Sequence, residues 1–317
     1  MASVPAVEVH NLHYSFAGTR TPALEGCDLV LAPGARCLLI GANGAGKSTL
    51  LRLLAGKRLC EANIRVFGQN VFHAPPRGIT YLGTEWATNP VVRSDITVRD
   101  FLDSVGGFRF SERRDHLLDL LDVDLSWRMH MISDGERRRV QLCMGLMEPW
   151  KLLLLDEVTV DLDVQVRCDL LDFLREESET RGATIVCKYA KLTPDATHIF
   201  DGIHHFPTCL VHMQLGRTTT PIPMPWPLPL QNDTPTWILD HLPESFRHDI
   251  ASGSLSTEPV SLLSLALAWL REDRVVRQQY ESQRGVKRGR AGHALQEETT
   301  DAKKFFSQYD YYSNYSA

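Results

Sequence analysis

The chain has 317 residues, enough for one large domain with an extension or for two domains, and its 43% hydrophobic and 23% charged content is that of a folded protein. A formal net charge of −5 argues against a general nucleic-acid binder, whose affinity would come from neutralising phosphates, and direct nucleic-acid contact is not expected beyond a local basic patch. Seven scattered cysteines with no C-x-x-C pair point to buried thiols in a reducing compartment, cytoplasmic with nuclear entry left open. Residues 1–5 carry neither the basic nor the apolar segment of a signal peptide, and no apolar run approaches the ~20 residues of a membrane span.

Val7–Leu12 alternates and reads as a strand; Cys27–Leu31 reads as a second, ending at the turn pair Pro33-Gly34. Cys37–Ile40 is an apolar, buried-strand run, and Leu50–Ala55 reads as a helix. Arg65–Gly68 and Ile79–Gly83 are further short strands, after which Thr97–Val105, Ser111–Val123 and Gly135–Met147 carry helical spacing. Leu152–Leu155 is apolar without alternation, as a central parallel strand covered on both faces requires. Val166–Glu177 is an amphipathic helix and Ala183–Cys187 another buried strand, so strands alternate with helices as in a doubly wound parallel sheet. Prolines then alternate with apolar residues from Pro221 to Pro229, which reads as an extended strap, and Val260–Arg277 is a helix with an apolar stripe. Lys287-Arg288-Gly289-Arg290 is a solvated loop or an import or nucleic-acid patch. The end, Lys303–Ala317, with four tyrosines and two phenylalanines, is a disordered tail or a docking segment.

Between the Cys37–Ile40 strand and the following helix lies Gly41-Ala42-Asn43-Gly44-Ala45-Gly46-Lys47-Ser48-Thr49. This is G-x-x-x-x-G-K-S in the strand, loop, helix setting that makes it a phosphate loop. The glycines let backbone N–H groups close around an anion, and the helix N-terminus adds unpaired donors. Lys47 would reach the β- and γ-phosphates, and the Ser48 hydroxyl would be a ligand for Mg²⁺. Asp156 and Glu157 close the leucine strand 109 residues after Lys47. They are either two solubilising acids at a strand end, or a metal-holding carboxylate followed by one that orients and deprotonates an attacking water.

Ile132-Ser133-Asp134-Gly135-Glu136, 23 residues upstream of Asp156 when counted from Ser133, resembles the Leu-Ser-Gly-Gly-Gln signature of ATP-binding-cassette ATPases. The likeness spans residues 5 to about 215 and implies an α/β P-loop NTPase fold, with a parallel core sheet, an antiparallel β subdomain and a helical subdomain. It also implies that ATP and Mg²⁺ are bound, and that two chains close head to tail so that each signature loop meets the γ-phosphate held by its twin. By that resemblance Phe16 stacks on adenine, with Tyr14 the second candidate, and Gly41, Ala42, Asn43, Gly44, Ala45, Gly46, Lys47, Ser48 and Thr49 hold the phosphates. Ser133, Gly135 and Asp163 contact nucleotide or twin, Ser48 and Asp156 hold the metal, Glu157 is the catalytic carboxylate, and His198 reads the γ-phosphate.

Three departures stand out. Thr84 occupies the place of the Gln that couples transporters of the family to their membrane subunits. Asp134 replaces a signature Gly; two like charges ~6 Å apart at an effective dielectric of ~20 repel by roughly 3 kcal/mol, so its carboxylate is expected to turn toward Arg137 or Arg138. Lys188–Ala196 lengthens the path to His198, which either loops back to the site or is displaced. Together with Tyr81–Trp86, Asp156–Asp163, Thr197–Gly202 and the helix around Leu267–Arg274, these strings resemble a small non-transporter group of the family. Its fungal member is associated with the CCR–NOT transcription and mRNA-turnover complex. The expected plan is an ABC nucleotide-binding domain over 5–215, a Pro-rich linker over 216–259 and a helical, partly disordered extension over 260–317. The expected activity is slow ATP hydrolysis by a homodimer with CCR–NOT-type partners. The alternatives are the ATP-binding subunit of a membrane transporter and a nucleotide-sensing scaffold with little turnover.

Overall fold

The four leucines from Leu152 to Leu155 are all buried, Leu152 and Leu154 in one hydrophobic cluster and Leu153 and Leu155 in another. Side chains alternate across a strand, so a run that is apolar throughout needs cover on both faces. The computed structural model, which describes residues 4–19, 21–83, 85–86, 90–157, 162–188, 203–220, 222–229, 235–251 and 260–283, shows how that cover is built.

In chain order the elements are β1 (Val7–Tyr14), β2 (Leu24–Leu31), β3 (Arg36–Ile40), α1 (Lys47–Leu54), β4 (Arg65–Val66), β5 (Gln69–Asn70) and β6 (Ile79–Leu82). Then follow α2 (Val98–Ser104), α3 (Ser111–Leu120), α4 (Asp134–Met147), β7 (Leu152–Asp156), α5 (Val164–Arg181) and β8 (Thr184–Lys188). The remainder is β9 (Cys209–Gln214), β10 (Arg217–Thr218), β11 (Met224–Pro225), α6 (Thr236–His241), α7 (Glu244–Ala251) and α8 (Leu262–Gln283). β1, β2, β4 and β5 form an antiparallel sheet in the order β2-β1-β4-β5. The larger sheet runs β10-β9-β3-β8-β7-β6; β3, β6, β7, β8 and β9 are mutually parallel, while β10 and β11 add to β9 antiparallel. One face of the parallel strands packs with α1 and the antiparallel sheet (Leu50, Leu53, Leu29), the other with α3, α4 and α5 (Leu117, Val140, Leu170). The expected parallel core, antiparallel subdomain and helical subdomain are all present.

Parallel neighbours finish at the same rim of a sheet, and the register here is explicit. Lys188 at the end of β8 lies opposite both Leu39 of β3 and Asp156 of β7, and Ile40 of β3 lies opposite His212 of β9. Whatever follows these four strands is therefore gathered at one place, the usual position of a ligand site in an open α/β sheet.

The chain after residue 215 departs from the expected linker. Cys209–Gln214, which was not anticipated as a strand, is β9, the direct neighbour of β3. Arg217–Thr218 pairs with its far end and Met224–Pro225 with its start. Met224 and Trp226 are buried, and the Trp226 indole donates to the His204 carbonyl at 2.8 Å. Of the apolar residues between the prolines, Met224 and Trp226 enter the core and Leu228 packs against it, while Ile222 is exposed. Leu262, Leu265, Ala266 and Trp269 of α8 enter the same cluster as Leu153. The boundary between compact units accordingly falls at Arg274/Val275, not at 215 or 259. In the second unit the described residues are the last turns of α8, with Arg277 and Glu281 3.7 Å apart. Thr84, Asp161, His198, Lys287–Arg290 and the tyrosine-rich end lie outside the described residues.

If the strap is part of the core, Trp226→Ala removes a buried aromatic and should destabilise the protein by about 3–5 kcal/mol. Urea denaturation followed by tryptophan-independent circular dichroism measures this; a loss below about 1 kcal/mol would mark the stretch as a mere tether.

Candidate functional site

The phosphate loop is shaped by contacts only glycine allows. Gly41 has φ +150°, and a Cβ there would lie 2.1 Å from the Met213 carbonyl oxygen of β9. Gly46, at φ +100°, would place a Cβ 2.5 Å from Leu24 and 2.9 Å from the Ala23 carbonyl oxygen. Between them the Ala45 N–H donates to the Ala42 carbonyl at 3.1 Å, and Asn43 and Gly44 stand exposed at the apex. Gly46 is the N-cap of α1 and offers no side chain, so the first donors of that helix are left to a ligand. Lys47 is buried and folded over its own loop, donating to the Gly41 carbonyl and, at 2.9 Å, to the Ala42 carbonyl. Burial pushes its pKa down to about 8, and the like charge of Lys188 pushes the same way.

Next to the loop the strand ends bring an acidic pair together. Ser48 Oγ is 3.1 Å from Asp156 Oδ1, and the Tyr81 hydroxyl donates to Asp156 Oδ2 at 3.2 Å. Burial pushes the Tyr81 phenol up to about 12, with the Asp156 charge adding to it, so the hydroxyl keeps its proton for that bond. Glu157 stands one residue on, with φ +61°, a left-handed conformation that costs a non-glycine residue on the order of 1–3 kcal/mol and is concentrated at functional sites. The Lys188 ammonium sits among them, 2.7 Å from Ser48 Oγ, 3.0 Å from Asp156 Oδ1 and 2.6 Å from Glu157 Oε1. The sequence counted Lys188 only as the start of an insertion; its role depends on the register of β8 against β7.

The same geometry tests the fit of a divalent cation. A hydroxyl and a carboxylate at hydrogen-bond separation are hard oxygen donors of the kind Mg²⁺ takes, and they already collect a cation, the Lys188 ammonium. Ser48 and Asp156 therefore suit the metal-holding role.

The signature residues lie at the start of α4. Ser133 caps it: the hydroxyl accepts from the Glu136 N–H at 3.2 Å and donates to the Glu136 carboxylate at 2.7 Å, which also accepts from the Ser133 N–H. Gly135 lies in the first turn. The Asp134 carboxylate is exposed and paired with Arg137 at 2.5 Å, turned as the repulsion argument requires. Asp163 caps α5 through the Val166 N–H and holds Arg139 of α4 at 2.7 Å, so the two helix starts are tied together. Arg138 and Gln141 reach the Gly83 carbonyl at the end of β6. Among the described residues no hydrogen bond or ion pair joins Ser133, Gly135 or Asp163 to the phosphate loop. Phe16 is half-buried, edge-on to Tyr14 at 5.2 Å, with the Arg58 guanidinium 5.6 Å over its face; Arg58 is a further residue the sequence did not single out.

A last group lies behind the loop. Asp273 of α8, buried, accepts from the Ala42 N–H at 3.0 Å and from Gln214 at 2.8 Å, and meets His212 Nε2 at 3.0 Å.

Residues 24–160 match the ABC transporter family. The chain is 44% identical over 234 residues to CCR4-associated factor 16 of Saccharomyces cerevisiae, covering 68% of this chain and 78% of that protein. It is 43% identical over 239 residues to ABC transporter I family member 20 of Arabidopsis thaliana, covering 69% and 70%. Among solved structures, a dimeric ATP-binding cassette in a post-hydrolysis state with ADP and phosphate superposes with a TM-score of 0.55 at 17% identity, over 67% of this chain and 96% of that one. Motif order, strand topology and these likenesses agree: the chain belongs to the ABC family and carries its ATPase domain.

Proposed function

We propose that this protein binds ATP with Mg²⁺, closes head to tail with a second copy, and hydrolyses ATP slowly. The observation that carries this reading is the meeting of Ser48, Asp156 and Glu157 beside the glycine loop, around a cation supplied by Lys188. Lys47 would leave its own loop carbonyls for the phosphates, and the N–H groups from Asn43 to Thr49 would surround them. Ser48 and Asp156 would hold Mg²⁺, which supplies charge neutralisation at the β- and γ-phosphate oxygens. Glu157 would orient a water and take its proton as the water oxygen bonds to the γ-phosphorus. The bond from that phosphorus to the β,γ-bridging oxygen breaks, ADP leaves with the electron pair, and the proton passes to solvent. Phe16, with Arg58, would face the base.

Ser133 and Gly135 have no partner in their own phosphate loop, so in this reading they act on the nucleotide of the twin chain, with Asp163 near the contact. His198 is retained as the γ-phosphate reader within this proposal. The likeness to a CCR4-associated factor supports a regulatory role with partners of the CCR–NOT type, in the cytoplasm with a nuclear share. Purification of the tagged chain with and without ATP, followed by identification of co-eluting proteins, tests that assignment; recovery of a multispanning subunit instead would replace it with a transport role.

Glu157→Gln keeps the side-chain shape and removes the base. With ATP and Mg²⁺ the variant should run at twice the monomer mass in size exclusion with light scattering, and its phosphate release should drop by about 10²-fold or more. A variant that stays monomeric and turns over normally would remove Glu157 from the mechanism. Lys47→Ala should abolish binding of a fluorescent ATP analogue.

Lys188→Met removes the resident ammonium from the metal-holding oxygens. The Mg²⁺ concentration that half-saturates fluorescent ATP binding should fall about tenfold, while binding in EDTA should weaken because a positive charge beside the phosphates is gone. An unchanged Mg²⁺ requirement would mean that the ammonium and the metal do not compete.

A further inference from the structure

Asp273 carries a buried carboxylate into the back of the phosphate loop from 231 residues away. One oxygen accepts from the Ala42 N–H; the other accepts from the Gln214 side chain and meets His212 Nε2. The His212 ring in turn stacks on Trp269, one turn earlier on α8, at 4.9 Å and 12° between planes. Burial favours the neutral acid, but the bonds from His212, Gln214 and Ala42 outweigh it, and the carboxyl titrates below its ordinary range. These are charge-assisted bonds, stronger than neutral ones.

Their placement matters more than their strength. The Ala42 N–H is turned to the rear, toward α8, while the Gly41 carbonyl of the same peptide group accepts from Lys47. In the resting chain this peptide group is gripped on both sides. When Lys47 swings to a phosphate, its grip is lost and the Asp273 bond still holds the Gly41–Ala42 peptide, while the Ala45 N–H bond to the Ala42 carbonyl carries that hold into the following loop amides. Nothing in the mechanism above uses Asp273, His212 or Gln214.

We infer that Asp273 is a positioning residue through which α8 holds the phosphate loop in its nucleotide-ready form, so that docking of α8 and occupancy of the loop reinforce each other. The inference rests on nucleotide binding at this loop. By reciprocity, a partner that pulls α8 from its seat would lower nucleotide affinity by the factor by which nucleotide strengthens the seat.

The test uses the full chain and two measurements. Binding of a fluorescent ADP with Mg²⁺ is titrated in wild type, Asp273→Asn and Leu265→Ala; the last is a destabilised control that thins the core beneath α8 while leaving α8 seated and the Asp273–Ala42 bond in place. Hydrogen exchange of residues 262–274 and of α1 is followed with and without ADP. Asp273→Asn should weaken ADP roughly tenfold and should lose the ADP-induced slowing on α8 while retaining it on α1. Leu265→Ala should keep its affinity within about twofold of wild type and should keep that slowing. Unchanged or tighter ADP binding by Asp273→Asn, or an equal loss in Leu265→Ala, overturns the inference and leaves Asp273 a core residue. If Asp273→Asn does not fold, the wild-type exchange decides alone: no slowing on α8 beyond that of a distant strand such as β2 overturns it. Wild type that fails to bind ADP overturns both this inference and the nucleotide reading beneath it.

Discussion

The shared direction of β3, β7, β8 and β9 is the constraint from which the site follows. Each strand contributes its C-terminal end: β3 the glycine loop, β7 the acidic pair, β8 a lysine and β9 a histidine and a glutamine. A single antiparallel substitution among them would carry one of these groups to the opposite rim, far from the others. Burial on both faces holds the arrangement in place, because a one-residue slip of β7 would exchange the sides to which its leucines point.

Charge balance sets how the site can be assembled without ligand. Asp156, Glu157 and Asp273 surround a loop whose only strong cation is Lys47, and Lys47 is drawn inward to backbone carbonyls. Lys188 keeps the two neighbouring acids from facing each other unscreened. The loop thus lies between two carboxylate groups, one in front that shares a cation and one behind that grips the backbone. The phosphates of a nucleotide would enter from the front and displace the lysines, not the structure that holds the loop.

What could be read from the sequence was local. The glycine loop is contiguous, and its setting between a strand and a helix is visible in composition alone. The Asp134–Arg137 pair follows from helical spacing, and Ser133 with Glu136 three residues on is a capping pattern that was legible but went unread behind the signature likeness. Lys188 was not legible, because only the register of two parallel strands brings it to Ser48. β9 was missed because His212 and Gln214 interrupt its apolar run, and the residue that satisfies both lies on α8. The proline-rich strap was read as part of a linker, since proline spacing fixes backbone shape and says nothing of what the intervening methionine and tryptophan touch, both of which are buried.

That strap has one more consequence. β9 would otherwise form the outer border of the parallel sheet, offering a row of unpaired amides and carbonyls to any passing strand. β10 and β11 cover its two ends, and Pro225 sits in β11 itself, a residue with no N–H to donate onward. A short closing strand with Pro225 in it gives a further strand no N–H to pair with at that position, which disfavours edge-to-edge association on this side of the sheet.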